Sequence, residues 1–221
     1  PESIADMPDA PYEYYVEAVK KSWKCMKYMP EKYQTEEFCI PIVTNNPEVM
    51  EFIINQTPLL CDIAVSKNGL SLKHIHFNNI TETLCYSAVL SVAIALEFVP
   101  EEFQTELVIY TALNKNVNCF KHIITKTIEL CEYSFNKDKY VFSQIVEFFP
   151  EGLSDQMVNA ALERNGMFIS HLKETQQTIE RCKIAIKANP FCFKHIIKQT
   201  IELSMFALKL NPRILSEINV Q

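Results

Sequence analysis

Cys119-Phe-Lys-His-Ile-Ile-Thr-Lys-Thr-Ile-Glu-Leu130 recurs as Cys192-Phe-Lys-His-Ile-Ile-Lys-Gln-Thr-Ile-Glu-Leu203, ten of twelve positions identical at an offset of 73 residues. The offset is about three units of 24 residues, and self-similarity at such a period marks a chain built by repetition. Anchoring each unit on the last apolar residue of an Ala-Val type pair gives Val19, Val43, Val65, Val89, Leu113, a position near Lys139, Leu162, Ile186 and Leu208. The steps between anchors are 24, 22, 24, 24, 26, 23, 24 and 22 residues.

Several columns keep this register. The residue before the anchor is alanine in seven of nine units (Ala18, Ala64, Ala88, Ala112, Ala161, Ala185 and Ala207), a small side chain that lets two helices approach closely. Three after the anchor stand Asn46, Asn68, Asn116, Asn165, Asn189 and Asn211, followed by Gly69 and Gly166 or by Pro47, Pro190 and Pro212. Asn followed by Gly or Pro reads as a helix stop, because Asn tolerates the left-handed conformation and Pro cannot continue the helix. The first helix of a unit is expected to start at threonines such as Thr35, Thr81 and Thr105, where the hydroxyl caps the N-terminus. The second covers stretches such as Leu70 to Ile75 or Ile94 to Val99 and ends at prolines such as Pro30, Pro100 and Pro150.

Neither helix buries its apolar stripe alone, and stacking unit on unit does. The fold expected is therefore all-α: a right-handed superhelical solenoid of about nine two-helix repeats over residues 12–221, preceded by a leader at residues 1–11 that caps the first unit. The sixth unit departs from the pattern. Asp138-Lys139 falls where Ala-Val belongs, alignments anchored at Phe135 and at Lys139 compete, and a longer or kinked helix is expected around Ser134 to Tyr140. Either it bends the superhelix into a concave surface or it is an insertion in a surface loop.

Composition agrees. Only 3 of 221 residues are glycine beside 11 prolines, which argues against Rossmann phosphate loops and all-β barrels. The formal charge is −6 with no run of five basic residues, so no nucleic acid partner is expected. The longest nearly uncharged apolar run, Ser87 to Leu96, is about half of a bilayer span, so no membrane span is expected. The chain opens on Pro1 rather than methionine, pointing to a processed or trimmed start, and its first residues lack the features of a signal peptide. The last unit carries no obvious polar capping helix, so its end is expected to be covered by further sequence or another chain.

The third unit, Ala64-Val-Ser-Lys-Asn-Gly-Leu-Ser-Leu-Lys-His74, with the restart at Ala88-Val89, resembles a short tandem helical repeat of unknown function. That family occurs in giant amoeba viruses and in Legionella-type effector proteins, and has no assigned reaction. The resemblance implies protein interaction inside a host cell. It extends over about residues 12–221 and is poorest in the sixth unit and at Pro41-Ile42.

The eight cysteines fall in apolar columns. Cys39, Cys61, Cys85 and Cys182 lie four before the anchor, where other units carry Tyr15, Ile109 and Val158, while Cys25, Cys119 and Cys192 lie six after it. Cys131 joins the first group if the sixth unit is anchored at Phe135. They read as reduced core thiols in a reducing cytosol. Cys119-x-x-His122 and Cys192-x-x-His195 suggest a zinc site formally, but three repeats part the two pairs, so no metal and no cofactor is expected. The same pairs resemble a thiol–imidazole dyad, yet their column is apolar, so no catalytic residue is assigned.

Four of five histidines, His74, His122, His171 and His195, share the column nine after the anchor with Tyr28, Phe52, Phe98, Phe148 and, in the last unit, Glu217. A column that accepts Tyr, Phe and His is a packed aromatic position with a wet edge, or a row that lines a groove and holds a partner in a pH-sensitive way. The column before it alternates Lys27, Glu51, Lys73, Glu97, Lys121 and Glu147, which serves solvation and register more than strength. The function expected is a non-catalytic cytoplasmic module that binds a protein partner, as an effector or an arm of one delivered into a host cytosol. The alternatives are a regulatory protein that binds and controls an enzyme, and an enzyme with its site in the groove. A pocket holding a strongly shifted acid or base would favour the enzyme, and a broad groove with exposed aromatic anchors would favour binding.

Overall fold

The computed structural model describes residues 10–148 and 153–218, and every regular element among them is helical, so the protein is all-α. The α-helices are α1 (Tyr12–Lys21), α2 (Glu36–Asn45), α3 (Pro58–Lys67), α4 (Glu82–Ser91), α5 (Glu106–Lys115), α6 (Ile128–Lys137), α7 (Phe142–Phe148), α8 (Asp155–Arg164), α9 (Ile179–Ala188) and α10 (Ile201–Leu210). All but α7 are 10 residues long. The chain divides into two compact bodies, one ending at Ile124 and holding α1 to α5, the other starting at Thr125 and holding α6 to α10. Pro150 and most of the leader fall outside the described residues.

The uniform length follows from what begins and ends each helix. At most starts a hydroxyl side chain accepts the first free backbone N–H: Thr35 from Phe38, Thr81 from Leu84, Thr127 from Leu130, Ser154 from Met157, Thr178 from Arg181 and Thr200 from Leu203, at 3.2–3.3 Å. Such caps contribute about 1 kcal/mol each. At the other end the asparagine column turns the chain, though not by the route expected from sequence. No described residue has a positive φ. Asn68, Asn116, Asn165, Asn189 and Asn211 are extended, with φ from −149° to −155°. Each donates its backbone N–H to the alanine before the anchor, closing the α-helix. Each then accepts, on Oδ1, the N–H two residues on, opening the next helix at 3.0–3.1 Å. The asparagine works as a pivot between two helices, using the short side chain's reach to its own backbone.

In every unit but the sixth the second helix is a 3-10 helix of 6 residues: Trp23–Tyr28, Pro47–Phe52, Gly69–His74, Ala93–Phe98 and Val117–His122 in the first body. Gly166–His171, Pro190–His195 and Pro212–Glu217 follow in the second body. The starts of the second helices thus lie one residue earlier than expected at Gly69 and Ala93. Glycine is needed here for approach and not for a left-handed turn. A Cβ on Gly69 would overlap the carbonyl oxygen of Ala88 in the next unit, and one on Gly166 that of Ala185.

The sixth unit is corrected at the same level of detail. No longer or kinked helix crosses Ser134 to Tyr140; α6 ends at Lys137 like its neighbours, and Ser134 and Phe135 occupy the buried positions of the Ala-Val pair. Asp138 takes the asparagine's place, accepting from the N–H of Tyr140 at 2.9 Å. The departure follows it: after the turn at Lys139–Val141 the 3-10 helix gives way to α7.

The core runs along columns. Seven after the anchor, Met26, Met50, Leu72, Leu96 and Phe120 of the first body and Phe142, Ile169 and Phe193 of the second are all solvent-free or nearly so. In the last unit Leu215 holds that place and is exposed. Consecutive α-helices pack on one another from α2 to α5, and again from α8 to α10, with the 3-10 helices of neighbouring units side by side. One junction of the first body is looser: α1 and α2 meet through the rings of Tyr12 and Phe38, whose centroids are 6.0 Å apart, but do not pack along their length as the later pairs do.

Candidate functional site

The expected partner-binding row ends the second helices. Tyr28, Phe52, His74, Phe98 and His122 are each the last residue of a 3-10 helix, and all five are half-buried on adjacent helices of the first body. In the second body His171 is exposed and His195 half-buried, each at the same place in its helix. Phe148 ends α7 and is exposed, with the ammonium of Lys126 3.8 Å from its ring centroid. Counted from Phe135, the position equivalent to the row in that unit is Gln144, so Phe148 is not a register match.

The row's backbone is held by a device the sequence reading missed. Gln34 donates from Nε2 to the carbonyl of Met29 in its own unit and of Phe52 in the next, and its Oε1 accepts the N–H of Ile54. Gln56 repeats this with Met50, His74 and His76, at 2.7–2.8 Å. Gln104 does so with Val99, His122 and Ile124, and Gln177 with Leu172, His195 and Ile197. A primary amide carries two donors and an acceptor, which is the set needed to tie two successive chain turns together. The signal was legible: glutamine stands nine before an anchor at Gln34, Gln56, Gln104, Gln177 and Gln199.

Electrostatics around the row are modest. Burial, helped by neighbouring Lys73, holds His74 below the usual imidazole pKa, with Glu51 and Glu48 opposing. His122 Nε2 lies 4.0 Å from a carboxylate oxygen of Glu97. Lys27, Glu51, Lys73, Glu97, Lys121 and Glu147 are all exposed; beside the approach of Glu97 to His122, ion pairs between successive units are made by Arg181 with Asp155, Lys183 with Glu202 and Lys198 with Glu174.

All eight cysteines are buried and unpaired with one another. Desolvation pushes the thiols of Cys39, Cys61, Cys119, Cys131 and Cys182 up to about 11, and those of Cys85 and Cys192 to about 12. A thiol so displaced is protonated at neutral pH and is a poor nucleophile. Among the described residues no three His, Cys, Asp or Glu side chains gather as a metal would require.

The unexpected feature is a groove where α1 and α2 part. Where α3, α4 and α5 carry Ala64, Ala88 and Ala112 against the preceding unit, α2 carries Ile42, with Pro41 beside it. The larger side chain removes the close approach that alanine permits. A cleft of about 510 Å³ opens there, walled by Val16, Val19, Trp23, Phe38, Pro41 and Ile42, with Lys20 and Lys21 on one rim and Glu37 on the other. Its size is that of a small-molecule or side-chain pocket. The poor match at Pro41-Ile42 was the trace of it in the sequence. Smaller clefts lie in the second body, one of about 300 Å³ between α6 and α8 and one of about 430 Å³ beside His171.

No helix among the described residues is long and apolar enough to cross a membrane. No family model matches the chain, and no curated protein or solved structure matches it significantly.

Proposed function

We propose that this chain is a non-catalytic protein-interaction module, built as a right-handed solenoid of about nine two-helix units and belonging with the tandem helical repeats of amoeba viruses and Legionella-type effectors. On this reading it works in a reducing cytosol, as an effector or an arm of one, against a protein of the host. The observation that carries the reading is the groove between α1 and α2, an apolar-walled cleft that exposes part of Trp23 at a junction where the rest of the body packs closed. Large aromatic side chains in partly desolvated pockets are where binding energy concentrates. The row Tyr28, Phe52, His74, Phe98 and His122 offers a second half-exposed surface in the same body. The upward displacement of the thiols weighs against a thiol enzyme.

The test is affinity capture from amoebal or mammalian host-cell lysate, followed by mass spectrometry and reconstitution from purified components. The expected result is a partner retained at fixed stoichiometry through size-exclusion chromatography. Failure to recover any stoichiometric partner would overturn the reading.

A further inference from the structure

The groove lies beside an unusual stretch of charge. Lys20, Lys21, Lys24, Lys27 and Lys32 fall within residues 20–32 and are interrupted by one acid, Glu31, in a chain whose formal charge is −6. All five are exposed, and two of them form one rim of the cleft. Lys20 also bonds Glu17 at 2.8 Å, which leaves Lys21 as the rim cation nearer to a ligand's disposal. The cleft has an apolar part, lined by Val16, Val19, Trp23, Phe38, Pro41 and Ile42, and a polar part to which Ser22, Asn45 and Asn46 contribute beside the charged rims.

We propose that this groove, the site on which the interaction reading rests, takes an acidic peptide segment of the partner. A bulky apolar side chain of that segment seats between Trp23 and Ile42, and its neighbouring carboxylates face Lys20, Lys21 and Lys24. The anchor supplies affinity by leaving water for the apolar part of the cleft. The lysines supply orientation and a faster encounter with a negatively charged segment. Glu37 on the opposite rim repels carboxylates from that side, so the acidic residues are confined to the lysine side. A nucleic acid strand fits the same lysines less well. Strand binding needs a succession of open aromatic faces on which bases stack, whereas Lys27 and Lys32 already lie over Tyr28 and Tyr33, at 4.6 and 4.8 Å, and Trp23, with Lys24 5.7 Å from its ring, offers a single free face.

Trp23 is the chain's one tryptophan and lines the groove, so its emission reports ligand there, with Phe52 of the row 6.1 Å from its ring on another side. The experiment titrates the full chain with a synthetic peptide of alternating Asp and Glu around one central Phe. Parallel arms use the same peptide with Ser for Phe, the same peptide with Lys for the acids, and oligo(dT). The expected result is a saturable shift of Trp23 emission for the acidic Phe peptide alone. Affinity should weaken at least about tenfold in the Lys21→Glu variant, and again between 50 mM and 500 mM salt as screening sets in. Ile42→Ala, which restores the alanine of the other units, is expected to close the cleft and abolish the shift with the helical circular dichroism intact. Equal binding of the Ser peptide, equal binding by Ile42→Ala, or binding of oligo(dT) with none of the acidic peptide would each overturn the proposal. A partner captured from lysate that binds Lys21→Glu and Ile42→Ala as tightly as the unaltered protein would overturn it too, while leaving the interaction reading in place.

Discussion

Gln56 offers the sharpest test of how the units are joined. Its side chain is buried at 6% exposure and makes three hydrogen bonds: from Nε2 to the carbonyls of Met50 at 2.8 Å and His74 at 2.7 Å, and on Oε1 from the N–H of His76 at 2.7 Å. Met50 belongs to the same turn of chain, His74 and His76 to the next unit, so the amide joins two units. Replacing Gln56 by Ala removes all three bonds and leaves two carbonyls and one N–H in a space partly closed to water. At about 0.5–1.5 kcal/mol net per bond, the loss of three is about 1.5–4.5 kcal/mol, the lower end applying where water enters the vacated space. Gln56→Glu keeps the shape but turns the two donated bonds into oxygen–oxygen contacts, so at neutral pH it should destabilise at least as much as alanine. Urea unfolding followed by circular dichroism gives the free energy, and amide hydrogen exchange at His76 reports the individual bond. A loss below about 0.5 kcal/mol, with His76 exchanging as in the unaltered protein, would refute the view that glutamine ties the units together.

Further outcomes follow from other columns. Gly69→Ala should cost at least about 2 kcal/mol, because the added Cβ meets a backbone carbonyl of the next unit that cannot turn aside, and a thermal melt unchanged from the parent would contradict this. Ser134 sits fully buried in the alanine column and its hydroxyl finds no hydrogen-bond partner, so Ser134→Ala should raise stability by about 1 kcal/mol in the same urea assay. His74 has its pKa lowered by burial, so the unfolded chain binds its proton more readily than the folded one. Its contribution to stability is present above the unfolded value and is lost as pH falls from there through the lower folded value. The fall in melting temperature between pH 7.5 and 5.5 should therefore be smaller in His74→Phe than in the parent. The thiols pushed to about 11 or 12 should react with iodoacetamide at pH 7.5 only after denaturation, and rapid native labelling of Cys85 or Cys192 would contradict their burial.

The alternation of helices was legible because each signal is local. Thr81 and Asn68 mark boundaries through bonds to their own neighbours, so a single sequence carries them. What the Asn column does was misread, since Asn as a helix stop and Asn as the cap of the next helix leave the same trace in sequence, and only φ near −150° separates them. The sixth unit was ambiguous because Ser134-Phe135 and Asp138-Lys139 both imitate Ala-Val imperfectly, and burial decides for the first. The groove was the least legible feature. It arises from what Ile42 prevents, an approach between two helices, and a pattern of residues registers a departure there without showing the space it opens. The row of aromatic and histidine residues was visible as a column, yet the glutamines that fix its carbonyls were passed over, because glutamine on a helical surface ordinarily reads as solvated polarity.

The reading of the chain as a non-catalytic interaction module is tested most directly by calorimetric titration of a purified, captured partner with the full chain, paired with intact-mass measurement of both components after incubation. The expected result is saturable binding at a fixed molar ratio, with both masses unchanged. A partner whose mass changes in proportion to time at substoichiometric amounts of this chain would show turnover and contradict the account.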